Sequence, residues 1–498
     1  MTFGQLLEKL LYLSNQKKIV LAKELGYDIS YISKWVNGKN IPTQKNISNI
    51  CKMTSNFIVN SLTESSKLEL KEYFEINTEI DNDDELKGYL EYSLKDSYVN
   101  TVQKNIPSIY EKNNLANLED NYNSTLHINP RLRKQYLAKY AEMFIEKSEN
   151  MDIIIYVNLY SLNNADKMAI SNMKKILHSM SLKKNIKVSI LMGFEGENDD
   201  IIFNTILIIN MITSYSCMDF KLYNCDIASN SILSVIKGAM FHTAMFTKDK
   251  RCLFTNISRK KSIVDEAYNT LDDIRKSRGE KLVYYKNSYD IIKEKIWIQY
   301  IMGTDLRFLI GSINEIFMPK DLFEEISLEV FKEEPYLLDD LRQINMFLEN
   351  MTYKSKMKVL IYEKELIRYM ATGEIHFFNR HVKLNIHQMQ KHINYIKNII
   401  ANSNNINIKL VEDGFVELFK NNKNPSLYLS RDLKILKMHP EENIYDYSIV
   451  RDNKFKIICD DFFDTIWTRD DEVLVCEKDY ILEKIDKALM YAKIMNDN

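Results

Sequence analysis

The sequence predicts a mainly α amino-terminal domain of short helices followed by an α/β body, the body built from two related α/β halves joined by helices. Three observations carry that prediction. A chain of 498 residues exceeds what one hydrophobic core accommodates, so several domains are expected. Only 12 Gly and 7 Pro occur, too few for a loop-rich all-β protein, so helix should dominate. From about residue 131 onward, segments with helical apolar spacing alternate with short β-branched apolar runs, the pattern of layered α/β structure.

With 45% apolar and 27% charged residues the chain has ample material for packed cores. Cys51, Cys217, Cys225, Cys252, Cys459 and Cys476 form no C-x-x-C pair and no metal-ligand spacing, so reduced thiols and no metal are expected. Phosphate-binding glycine loops, H-E-x-x-H and G-x-S-x-G are all missing, so no cofactor is expected either. His387 and His392 lie five apart on one predicted helix and face different ways, which argues against a metal pair. No signal-like segment opens the sequence. The greasiest stretch, residues 201–215, contains Asn204 and Asn210 and falls short of the roughly 20 residues a membrane span needs. A soluble cytoplasmic protein with no membrane partner is the expectation.

Net charge is −2, but its distribution is uneven. Residues 1–60 carry eight lysines against Glu8, Glu24 and Asp28, a net +5, which leaves −7 on the remainder. A small basic unit on an acidic body suits contact with phosphates at one end.

Within that unit, Leu6, Leu7, Leu10, Leu11 and Leu13 build an apolar stripe on a helix over residues 3–14. A second helix, residues 18–25, stops at Gly26, a residue that accepts a left-handed helix end. Asp28, or Ser30 if the start lies later, caps a third helix over 29–37, which Gly38 closes. A further helix is predicted over 45–59. Two short helices around a glycine turn are the geometry that presents the second of them to a DNA groove.

Residues 21–43 (LAKELGYDISYISKWVNGKNIPT) resemble the Cro/repressor-type, or XRE, helix-turn-helix family. The matching features are Leu21-Ala22, Gly26 in the turn, Ile32 and Trp35 as core positions, Asn37-Gly38-Lys39 after the recognition helix, and Pro42. The resemblance covers about residues 3–60 and implies double-stranded operator DNA as partner. With Ile32 and Trp35 inward, Ile29, Ser30, Ser33 and Lys34 would lie toward base edges with Tyr31 at the margin, while Lys17, Lys18, Asn37 and Lys39 would reach phosphates.

Residues 63–130, with an acidic patch at 77–85 and an Asn-rich stretch at 112–124, read as a helical connector. The first α/β half, 131–285, should hold helices over 131–147, 165–180 and 200–214 and strands over 151–160, 187–192 and 218–223. Runs at 239–247 and 251–256 read as a hairpin across residues 248–250. A helical linker is expected over 286–350. The second half, 351–498, should hold strands over 358–362, 406–411, 426–429 and 433–437 and a helix over 387–401.

The stretch GAMFHTAMFTKDKRCLFTNIS resembles a worn phospholipase D signature, H-x-K-x-x-x-x-D followed by a second strand. His242 and Asp249 keep its spacing, but Ala244 stands at the lysine position. Residues 445–467 look like a second copy, with Asp452 matching Asp249 and Tyr445 and Tyr447 at the histidine and lysine positions. Phosphodiester hydrolysis of that type needs two histidines and charge-neutralising lysines. The resemblance therefore implies an inactive cleft around His242, Asp249, Tyr445, Tyr447 and Asp452 that could take an effector.

The function expected is a homodimeric DNA-binding transcriptional regulator, not an enzyme, tuned by a small-molecule or peptide effector. Two other readings keep the DNA-binding head. One makes the body an all-helical repeat receptor for a signalling peptide, and the other makes it a phosphodiesterase or nuclease.

Overall fold

The computed structural model describes residues 2–43, 46–73, 83–104, 124–128, 150–181, 185–195, 198, 200–214, 218–225, 230–412, 424–438, 445–469 and 474–496. The chain divides into two compact units, Met1–Glu146 with Cys252–Lys260, and Lys147–Arg251 with Lys261–Asn498.

The first unit holds α1 (Phe3–Leu13), α2 (Lys18–Leu25), α3 (Ile29–Val36), α4 (Ile47–Asn60), α5 (Glu64–Tyr73) and α6 (Asp83–Lys104). It also holds β1 (Ser124–Ile128), paired antiparallel with β7 (Cys252–Ser258). Thr2 and Gln5 form a capping box at the start of α1, and the predicted leucine stripe is buried. The helical core does not stop at residue 62. Leu70 of α5 and Leu86, Leu90, Leu94 and Tyr98 of α6 join Leu6, Leu10, Ile32 and Trp35 in one cluster, and the Phe3 N–H donates to Thr101 Oγ1 at 2.8 Å. Residues expected to be a connector thus complete the core of the head. The helix predicted over 131–147 and the stretches 77–82 and 112–123 lie outside the described residues.

In the second unit, the first half runs β2 (Asn150–Asn158), α7 (Asn164–Ser181), β3 (Asn185–Gly193), α8 (Ile201–Thr213), β4 (Asp219–Asn224), β5 (Ser231–Ile236), β6 (Met240–Phe246), α9 (Lys261–Ser277) and β8 (Glu280–Lys281). Within this unit the sheet order is β6-β5-β2-β3-β4-β8. Strands β2, β3 and β4 are mutually parallel, and β5, β6 and β8 each run antiparallel to their neighbours. The near-continuous apolar run of β2 fits a strand buried on both faces. Helix α8 is buried all round from Phe203 to Thr213, as a helix apolar on every side must be. It packs against a helix of the second half.

The second half runs β9 (Val283–Lys286), α10 (Ser288–Lys293), α11 (Ile296–Ile301), β10 (Leu306–Ile310), α12 (Lys320–Val330), α13 (Leu338–Lys354), β11 (Met357–Tyr362), α14 (Glu363–Thr372), the small hairpin of β12 (Glu374–Phe377) and β13 (Arg380–Lys383), and α15 (Ile386–Asn402). It ends with β14 (Ile406–Val411), β15 (Ser426–Leu429), β16 (Lys434–Lys437), β17 (Tyr447–Val450), α16 (Asn453–Trp467), β18 (Leu474–Val475) and α17 (Lys478–Asn496). The sheet order is β18-β14-β11-β10-β15-β16-β17-β9, with β10, β11 and β14 parallel and the flanking strands antiparallel.

Two expectations are corrected here. Residues 286–350 are not all helical: LRFLI forms β10, a fully buried strand between β11 and β15. Its five residues are too short a run to be told from a buried helical segment by periodicity. Residues 445–467 do not form a strand pair: β17 leads into α16, whose inward Phe455, Ile458, Cys459, Phe462, Phe463 and Ile466 keep helical spacing. The two sheets also rule out an all-helical repeat body.

Candidate nucleic-acid interface

Helix α2 ends where Gly26 adopts φ 71°, a left-handed conformation that costs a side chain at Cβ. The chain then re-enters helix at Asp28, whose carboxylate accepts the Ser30 N–H at 2.9 Å. Asp28 rather than Ser30 is the cap, and these hydrogen bonds hold its carboxyl below the ordinary 3.8.

The orientation of α3 follows from its apolar residues. Ile32 and Trp35 are 0% and 2% exposed, with Val36 buried beside them. Burial of such side chains contributes roughly 2–3 kcal/mol each, which fixes the helix about its own axis. Tyr27 packs edge-on to Trp35 with ring centroids 5.2 Å apart, and its hydroxyl accepts from Asn46 Nδ2 at 3.2 Å. At the far end, Gly4 of α1 lies against the Trp35 and Val36 carbonyls. A Cβ there would come within 2.6 Å of the Val36 oxygen and closer still to that of Trp35. No sequence pattern signalled this close approach.

The opposite face carries the residues expected to meet DNA. Ile29, Ser30, Tyr31 and Lys34 are exposed and Ser33 is half-buried. Beyond the helix, Asn37 and Lys39 are exposed, and at the start of α2 Lys17 is exposed and Lys18 half-buried. Lys17 occupies the N-cap of α2 without a side-chain cap. Lys18 comes within 3.9 Å of Glu8, a solvent-screened pair of little strength. Lys34 Nζ lies 5.7 Å from the Tyr31 ring centre.

The residues singled out in the body are distributed differently. His242, on β6, is 1% exposed, and burial lowers its pKa to about 4, so it is neutral at pH 7. Its Nδ1 lies 3.4 Å from Ser234 Oγ. Asp249 sits in the exposed turn that the Thr247 N–H closes onto the Arg251 carbonyl, and it pairs with Arg251 at 3.3 Å. Tyr445 stacks on Tyr285 with ring centroids 5.3 Å apart. Tyr447 is buried beside Trp297. Asp452 is buried, caps α16 by accepting the Phe455 N–H at 2.7 Å, and accepts from Asn224 Nδ2 of the first half at 2.8 Å. Among the described residues no hydrogen bond, ion pair or ring contact joins any two of these five. His392 is likewise buried, with Nδ1 2.8 Å from Tyr369 Oη, while His387 is exposed at the start of α15. No described helix is long and apolar enough to cross a membrane.

Comparison with known proteins agrees with the geometry of the head. Residues 17–54, from the start of α2 into α4, match a family model described as helix-turn-helix. No curated protein matches the chain. Among solved structures, the polyphosphate kinase from Porphyromonas gingivalis is similar at 10% identity with a TM-score of 0.23, over 75% of this chain and 56% of that one.

Proposed function

We propose that the chain is a sequence-specific DNA-binding transcriptional regulator. One observation carries the reading. Within the residues that match the helix-turn-helix model, α3 buries Ile32 and Trp35 and turns Ile29, Ser30, Tyr31 and Lys34 outward. In this reading α3 enters the major groove with Ile29, Ser30, Ser33 and Lys34 toward base edges and Tyr31 at the margin. Lys17, Lys18, Asn37 and Lys39 contact phosphates, alongside the uncapped amides that open α2.

The α/β body acts as the regulatory and dimerisation module. A single head touches few base pairs, so a homodimer on two half-sites about 10 bp apart, or a multiple of that, provides the specificity a genome requires. The body's two halves are related in this reading. Each sheet has three parallel strands, β4-β3-β2 and β14-β11-β10, flanked on one side by antiparallel strands β5-β6 and β15-β16 and on the other by a short antiparallel strand, β8 and β18. The phospholipase D-like ancestry read from His242 and Asp249 fits that repetition. Turnover is not part of the proposal, because a sealed neutral His242 with Ala244 at the lysine position lacks both an accessible nucleophile and phosphate neutralisation. A small-molecule or peptide effector would act through the body, and Asp249 and Tyr445 are the members of the expected site that solvent reaches.

The test is fluorescence anisotropy of the full-length protein on a duplex enriched from a random-sequence pool, at two salt concentrations. Replacing Lys34 and Asn37 together by alanine should weaken specific binding about 10- to 100-fold and flatten the salt dependence. Wild-type binding by that double variant overturns the assignment of the reading face.

A further inference from the structure

The outward face of α3 has an unusual composition for a surface that must discriminate bases. Residues 29–34 read ISYISK, so Lys34 is the one member of the set Arg, Lys, Gln, Asn, Asp and Glu, whose side chains specify a base edge by hydrogen bonding. Ser30 and Ser33 bond to either kind of edge, and Lys34 lies beside the Tyr31 ring. What the face offers instead is apolar surface: Ile29 is 43% and Tyr31 46% exposed, although both belong to a helix with a well-filled buried side. Ile29 also ends an open groove of about 530 Å³ formed with Leu11, Tyr12 and Ile19 and rimmed by Lys17, Lys18, Gln16 and Glu8, the carboxylate lying 3.9 Å from Lys18. Exposed aliphatic and aromatic surface beside lysines has a natural complement in the major groove, where the thymine 5-methyl is the one apolar feature of a base edge and phosphates line the walls.

Resting on the proposed DNA-binding function, we propose that Ile29 and Tyr31 determine specificity by packing on thymine methyl groups, so that the preferred half-site is read by its methyls more than by its hydrogen-bonding edges. Lys17 and Lys18 anchor the adjacent phosphates and place the apolar floor of the groove over the same strand. Each methyl contact removes about as much apolar surface from water as one methylene, which corresponds to about a four-fold change in affinity.

The experiment uses full-length protein and the duplex enriched from a random-sequence pool, synthesised either with thymidine or with deoxyuridine at every thymine of one half-site. Deoxyuridine keeps all hydrogen-bonding groups and lacks only the methyl, so the comparison does not depend on any protein variant folding. Loss of two methyls should weaken binding about fifteen-fold. In Ile29→Ala and Tyr31→Ala, both at exposed positions, the thymidine-to-deoxyuridine ratio should fall toward one. Tight binding to the enriched duplex with no deoxyuridine effect, or a ratio unchanged in both variants, overturns methyl readout and leaves DNA binding standing. Failure to enrich or bind any duplex above non-specific background overturns the DNA-binding reading, and this inference with it.

Discussion

Replacing Gly4 by alanine separates a structural helix contact from ordinary helix propensity by the sign of its effect. On a helix facing open space, Gly→Ala stabilises by up to about 1 kcal/mol, because glycine loses more backbone entropy on folding. Gly4 instead faces the last carbonyls of α3. An added Cβ would sit 2.6 Å from the Val36 oxygen and nearer to that of Trp35, and ordinary contact begins at 3.4 Å, so α1 and α3 must part by about an ångström. The neighbours are backbone atoms of α3 and cannot rotate aside. Overpacking of this kind costs about 1–3 kcal/mol. Set against the full propensity gain, a net destabilisation of up to about 2 kcal/mol remains. Amide exchange of residues 29–36 in the full-length protein, followed by mass spectrometry, reads the local opening energy directly and should speed up by as much as about 30-fold. DNA affinity should fall in parallel, since α3 shifts relative to the lysines at the start of α2. Slower or unchanged exchange in Gly4→Ala would refute the close approach of α1 to α3.

Two further outcomes test the body. Asp452→Ala removes the cap of α16 at a buried position and leaves the half-buried Asn224 Nδ2 without its acceptor. A loss of about 2–4 kcal/mol is expected, read as a lower thermal midpoint of the full chain, and a variant as stable as wild type would mean that Asp452 does not join the two halves. His242 and His392 are both held neutral by burial, with pKa values near 4 against 6.5 in the unfolded chain. Since the unfolded state binds more protons between those values, their stabilising contribution is complete above pH 6.5 and is lost as pH falls toward 4. Urea midpoints measured from pH 7 to pH 4 should therefore decline less steeply in His242→Phe than in wild type. Identical slopes would show that His242 is accessible to protons in the native state.

The head was legible because its determinants are local. The leucine spacing of residues 6–13, the stop at Gly26, the cap at Asp28 and the inward pair Ile32 and Trp35 lie within one or two turns of the backbone they organise. Helix periodicity and capping chemistry therefore place them without knowledge of the rest of the chain. The parallel strands were legible for a related reason: β2, β3 and β11 are buried along most of their length and read as apolar runs, while β4 and β14 alternate buried with more exposed residues, the other signature of a strand.

Tertiary structure alone decided the remainder. LRFLI became the strand β10 because β11 and β15 bond both of its edges, an outcome that four apolar residues and Arg307 do not encode. Strand β5 and the turn at Gly238 emerged from pairing with β2 and β6. Asp452, taken from its spacing as a motif residue, became a cap and a tie to Asn224 because α16 starts there and the first half lies alongside. Gly4 acquired its importance only when α3 came to rest on it, and α6 became part of the head only by packing against α1 and α4. Local sequence fixes periodicity, caps and turns through interactions a few residues long; partner strands, close approaches and the burial of a polar side chain depend on segments up to hundreds of residues apart, and these meet only once the chain has folded.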